Sequence, residues 1–198
     1  MELLPTVLAS GWASGINAYL VVVVLGLLGR FADVGGVPEA LTRTDVLLVA
    51  GALYLVEFVA DKVPYLDSIW DAVSTAIRPT AGVVLGLLLA GDASTVEQAV
   101  LAASGGGAAL ASHLVKGGLR LVVNTSPEPV TNIGTSLGED VAVAGVAALA
   151  VLHPYVALTI AGLLLALGVT LLVLLWTRVR RGYQRLKAWQ ERRRAAAA

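Results

Sequence analysis

Glu57 and Asp61 stand four residues apart at the end of an apolar run, Val46 to Ala60. That spacing puts both carboxylates on one face of a helix. Asp67 and Asp71 repeat the spacing, and Arg78 continues their stripe. In a second apolar stretch, Val96 to Val123, His113, Lys116 and Arg120 recur at intervals of three and four, again one helical face. A charge at the centre of a bilayer costs about 2.5–3.5 kcal/mol on insertion scales, so ionisable residues in apolar helices are candidates for function. An acidic and a basic face in one small bundle are expected to meet, Glu57 and Asp61 against Lys116 and Arg120, because unpaired charges are expensive in low dielectric. Three roles are open to them: setting topology from the interface, clamping helices together, or lining a polar path that contacts a solute or ion. Lys62, Asn17, Asn124 and Asn132 join this set as further polar groups in or beside the apolar stretches, with Thr125, Ser126, Thr135 and Ser136 as neutral donors and acceptors around two prolines.

Paired carboxylates also suggest a divalent cation bridging a phosphate, with Asp67 and Asp71 as weak metal candidates. The Asp-Gly-x2-Ala-Arg run of the CDP-alcohol phosphotransferases is absent. Arg78-Pro79 lacks the lysine seven residues upstream that acid-type membrane phosphatases carry, since position 71 is Asp. His113 follows Ser112 directly, and adjacent helix positions do not face each other. With no cysteine and two histidines, thiolate metal sites and thiol nucleophiles are excluded. No catalytic residue is assigned, no cofactor is expected, and an enzyme is the less favoured reading.

The elements that must position these groups are membrane helices. Of 198 residues 57% are hydrophobic and 14% charged, with mean hydropathy +0.81, against about 25% charged in soluble domains. Apolar stretches cover residues 3–28, 46–60, 80–90, 96–123, 141–152 and 154–176. The expectation is an all-α integral membrane protein of about six transmembrane helices. The short third and fifth stretches imply two broken or re-entrant polar segments. Residues 46–91 and 104–152 read as repeat-like units, each a helix, a Pro-containing polar segment and a short helix, within a transmembrane domain spanning 1–177. Residues 178–198 form a basic tail: Arg178 to Arg194 carries eight bases and one acid. Basic segments stay in the cytoplasm, so the C-terminus is expected inside, and six crossings put the N-terminus inside and residues 30–45 outside. The first run has no basic flank, unlike a secretory signal, and is expected to be retained.

Glycine is the other signal. Gly11/Gly15, Gly82/Gly86 and Gly134/Gly138 are spaced for close helix packing. Gly105-Gly106-Gly107 suggests a break, hinge or tight crossing, and Ser14-Gly15-Ile16-Asn17 a break in the first helix, where Asn17 needs a partner. Taken together, Ala13 to Tyr19, Glu57-x3-Asp61-Lys62-x-Pro64-x2-Asp67, Arg78-Pro79 and Lys116-x3-Arg120-x3-Asn124-x-Ser126-Pro127 resemble a bacterial multi-pass membrane family, domain of unknown function 4126. The resemblance covers nearly the whole chain before the tail. It implies the fold and brings no catalytic residues with it.

The sequence thus points to a small protein of the bacterial cytoplasmic membrane that moves a small polar or ionic solute. The alternatives are a metal-dependent enzyme on lipid phosphates and a non-catalytic assembly partner. Its partners are expected to be the lipid bilayer and, at the tail, anionic lipid. A homo-oligomer is open, and nucleic acid is not expected because the net charge is zero.

Overall fold

The computed structural model describes residues 3–32, 34–123 and 129–195, and among them the chain is wholly helical apart from its connections. Seven helices follow in order: α1 Leu4–Phe31, α2 Glu39–Thr42, α3 Thr44–Ala60, α4 Pro64–Ala90, α5 Thr95–Val123, α6 Pro129–Leu152 and α7 Pro154–Ala195. Pro5, Pro64, Pro129 and Pro154 all fall in first turns, where the missing N–H is no loss. Gly91 ends α4 with φ +54°, a conformation that side chains rarely adopt. Stretches within α1, α4, α6 and α7 are long and apolar enough to cross a membrane: Leu4–Phe31, Leu66–Ala90, Ile133–Leu152 and Pro154–Arg181.

The third and fifth apolar stretches read as short from sequence because charges precede them. In the structure residues 64–90 and 129–152 each run as one helix, so the polar halves are helical too. Pro79 sits inside α4 without ending it. The tail continues α7 without interruption to Ala195.

Helix directions follow from paired contacts. A side chain at Gly11 would strike the backbone of Gly105, and one at Gly15 that of Ala109. Ser112 Oγ donates to the Trp12 carbonyl at 2.7 Å and Lys116 Nζ to that of Ile16 at 3.1 Å. Both residue numbers rise together, so α1 and α5 run parallel. α4 runs against both: Gly82 meets Gly105, Gly86 meets Leu101, and Val7 packs in one apolar cluster with Leu89, Ala90 and Leu101. α7 is parallel to α5, through Gly168 against Val115 and Leu172 against Gly118. α1 therefore finishes at the end of the bundle where α4 starts. α3 lies between them, beginning beside Gly26 and Val22 and ending with Asp61 against Lys116, three residues before α4 starts at Pro64.

The glycines do two different things. Gly11, Gly15, Gly82, Gly86 and Gly105 form a crossing of α1, α4 and α5 so close that backbone touches backbone. α5 stays helical through Gly105-Gly106-Gly107, which makes that triplet a tight crossing rather than a break. Gly134 and Gly138 have nothing within van der Waals reach of an added Cβ, contrary to the close packing expected from their spacing.

The burial pattern is inverted relative to a soluble domain. Leu48, Val49, Leu55, Leu163, Leu167 and Val173 are exposed, while Glu57, Asp67, Arg78 and Arg120 are at most 1% exposed. Apolar surface outside and charge inside suit a lipid solvent.

Candidate functional site

α1 is the element on which the site is built. Asn17 has extended backbone angles, φ −150° and ψ 95°, and splits α1 into two half-helices. Its Oδ1 accepts the Leu20 N–H at 2.9 Å, three residues on, which makes Asn17 the N-cap of the second half. Its Nδ2 donates to Asp140 Oδ1 at 3.2 Å. The first half ends at carbonyls, and Lys116 Nζ caps Ile16 O. A cation thus sits at a helix C-terminus and a carboxylate beside a helix N-terminus, each matching the local dipole.

Around this break lies a ladder of buried ion pairs. On the upper rung Arg78 Nη2 donates to Glu57 Oε1 at 2.6 Å and Nη1 to Asp71 Oδ1 at 2.9 Å. Nη1 also lies 2.9 Å from His113 Nδ1, and His113 Nε2 lies 3.0 Å from Thr75 Oγ1. On the lower rungs Lys116 meets Asp61 at 2.9 Å and Glu139 at 3.6 Å. Arg120 reaches Glu139 at 2.6 Å, Asp67 at 3.3 Å and Asp61 at 3.5 Å, and donates to the Asp61 carbonyl at 3.1 Å. Lys62 lies at the edge, over the Phe58 ring at 3.0 Å and donating to the Phe58 carbonyl and to Ser136 Oγ.

Of the residues singled out from sequence, the structure brings Asn17, Glu57, Asp61, Asp67, Asp71, Arg78, His113, Lys116 and Arg120 into this core, with Lys62 beside it. Asn124 and the side chain of Asn132 lie outside the described residues. One partnership changes. Glu57 pairs with Arg78 rather than with Lys116 or Arg120, because Arg78 reaches back along α4 toward Asp71 and the end of α3. Asp67 and Asp71 turn to different arginines, Arg120 and Arg78, an arrangement that does not present them jointly to a metal. Among the described residues no group of three or more histidines and carboxylates could hold a metal ion. Ser112 bonds to the Trp12 carbonyl of α1, whereas His113 meets Thr75 and Arg78 of α4 and the Gly15 backbone of α1.

Glu139 and Asp140 are central, and sequence reasoning missed them. They precede the apolar run from Val141 and read as its polar boundary, whereas α6 begins ten residues earlier. Two adjacent acids inside a Gly-rich, uncharged stretch were the available signal.

Two openings flank the ladder. A cavity of about 230 Å³ among α1, α5, α6 and α7 is walled by Trp12, Ile16 and Leu164, with Ser112, Lys116 and Glu139 as its polar part. A cleft of about 390 Å³ between α4 and α5 is lined by Ser68, Asp71, Thr75 and His113. Away from the core, Arg43 and Asp45 form an exposed pair at 2.7 Å, and the hydrogen bond from Arg43 holds the Asp45 carboxyl down at about 2.

Fold and site together define a helical membrane protein with a charged interior and a broken first helix. The chain belongs to the family described as domain of unknown function (DUF4126), whose model matches residues 4–174. No curated protein and no solved structure matches the chain.

Proposed function

We propose that this protein transports a small polar or ionic solute, with the path running past the break in α1. The observation that carries the reading is the conjunction at Asn17: a discontinuous helix whose two inner ends face Lys116 and Asp140 within a core of paired charges. Half-helix ends supply fixed partial charges at membrane depth, and transporters use such ends to hold ions and polar groups. A clamp of the same strength needs neither a broken helix nor a polar-based cavity beside it. Glu57, Asp61, Lys62, Asp71 and Arg78 form one wall, and Lys116, Arg120, Glu139 and Asp140 the other. The units 46–91 and 104–152 correspond in this reading to α3–α4 and α5–α6, each turning at a polar segment.

The chain crosses the membrane five times in this reading, with α1, α4, α5, α6 and α7 passing through and α3 entering and leaving from one side. The end holding the start of α1 and the α4–α5 link carries Asp92 and Glu97 and no base, whereas Arg30, Arg43 and the basic extension of α7 lie at the other. The basic end is cytoplasmic by the positive-inside rule. The N-terminus is then outside and residues 30–45 inside, the reverse of what six crossings give. A bacterial cytoplasmic membrane and anionic lipid at the tail fit this orientation.

The test is flux in vesicles reconstituted with the purified protein, using protons, alkali cations and small anions as probes. The reading expects flux of at least one probe, reduced at least tenfold by Glu57→Gln and by Arg120→Gln. Absence of flux for every probe, or variants equal to wild type, overturns it.

A further inference from the structure

We propose that Glu57 and Asp71 share one exchangeable proton across Arg78, which makes this rung a proton-binding site of the protein. The argument is one of charge and donor count. A guanidinium stays protonated and has no lone pair to offer. Where Arg78 Nη1 approaches His113 Nδ1 at 2.9 Å, the ring nitrogen must therefore accept. The His113 proton is then on Nε2 and faces Thr75 Oγ1, whose own hydrogen goes to the Asp71 carbonyl at 3.0 Å. His113 is thus a neutral ring and contributes no positive charge.

Two carboxylates then face one cation. Glu57 and Arg78 are each 1% exposed at the side chain, and Asp71 10%. Each carboxylate gives Arg78 one oxygen, and the other, Glu57 Oε2 or Asp71 Oδ2, is buried without a hydrogen-bond partner. The remaining neighbours do not make up the balance. Lys116, from α5, is engaged by Asp61 from the end of α3 at 2.9 Å and by Glu139 of α6 at 3.6 Å, so its charge is already matched. Tyr19 of α1 and Tyr54 of α3 are the neutral phenols on the adjoining helices. A surplus negative charge in a low-dielectric core is removed by a proton. The step is association alone: a proton from water joins one carboxylate oxygen, and its departure restores the anion. The cleft lined by Asp71, Thr75 and His113 opens this rung on the α4–α5 side. The absence of any metal-competent cluster among the described residues favours a proton over a metal ion.

The role of this proton, coupling to solute movement, rests on the transport reading; its presence does not. Infrared spectroscopy of the purified protein in detergent reads it directly, through the carbonyl stretch of protonated carboxyl groups. The wild type is expected to show a band that shifts in heavy water and disappears as pH rises. Glu57→Gln and Asp71→Asn are each expected to lack the intensity of one carboxyl group, because either substitution leaves Arg78 matched one to one. Carbon-13 labelling of glutamate or aspartate in the wild type assigns the band without a variant. A wild type with no protonated carboxyl band, or a band of unchanged intensity in either variant, overturns the proposal. Neither result bears on flux, which the vesicle experiment measures separately.

Discussion

Asn17 does two jobs that separate substitutions can pull apart. Its oxygen caps the second half of α1 and its amide donates to Asp140. Loss of a helix cap costs about 1 kcal/mol, and Asn17→Ala adds to this the loss of the Asp140 contact. Asn17→Ser keeps a capping oxygen on a shorter arm. Thermal unfolding in detergent is expected to rank wild type, then Asn17→Ser, then Asn17→Ala; equal midpoints for the two variants would show that the cap contributes nothing. At this scale much was legible in the sequence. An asparagine in mid-helix needs a partner, and charges repeating at three and four residues fall on one face. The pairing was not legible, because a long side chain such as Arg78 can join residues seven apart on its own helix and twenty-one apart in sequence. Glu139 and Asp140 were hidden for the opposite reason: as the first charges before an apolar run they resemble an interface.

At the scale of elements, the crossing of α1, α4 and α5 holds the ladder at fixed height. Gly82 and Gly105 touch through their backbones, so a methyl group at either displaces a whole helix. Overpacking of this kind costs about 1–3 kcal/mol. Gly82→Ala is expected to lower the unfolding midpoint, while Gly138→Ala, which meets nothing, leaves it unchanged or raises it slightly through better helix propensity. A Gly82→Ala protein as stable as Gly138→Ala would contradict the crossing. Spacing alone could not sort these glycines, since three Gly-x3-Gly pairs look alike until the facing backbone is known. The polar stretches 64–79 and 129–140 misled for a related reason. A hydropathy reading ends an apolar helix at a charge, whereas in this bundle Asp67, Asp71, Arg78 and Glu139 each meet an oppositely charged side chain and the helix continues through them.

At the scale of the whole molecule, charge is distributed by end and by depth. The zero net charge divides into six bases and thirteen acids up to Trp176 and eight bases and one acid beyond it. The tail's sign was legible at once. The relative direction of the helices was not, because the parallel run of α1 and α5 is visible only in pairs such as Gly11 with Gly105 and Ile16 with Lys116. The account's central claim is that the charged core beside the α1 break is a path and not a clamp. The chain contains no cysteine, so a single introduced thiol reports on one position alone. All three serines are buried in the closed bundle, but Ser112 lines the cavity next to Lys116 and Glu139 and Ser136 lies by Lys62, whereas Ser10 lines neither opening and bonds within its own helix. In protein reconstituted into vesicles, a small hydrophilic thiol reagent is expected to modify Ser112→Cys and Ser136→Cys at least tenfold faster than Ser10→Cys. Equal, negligible rates at all three positions would contradict the account and leave the ladder a structural clamp.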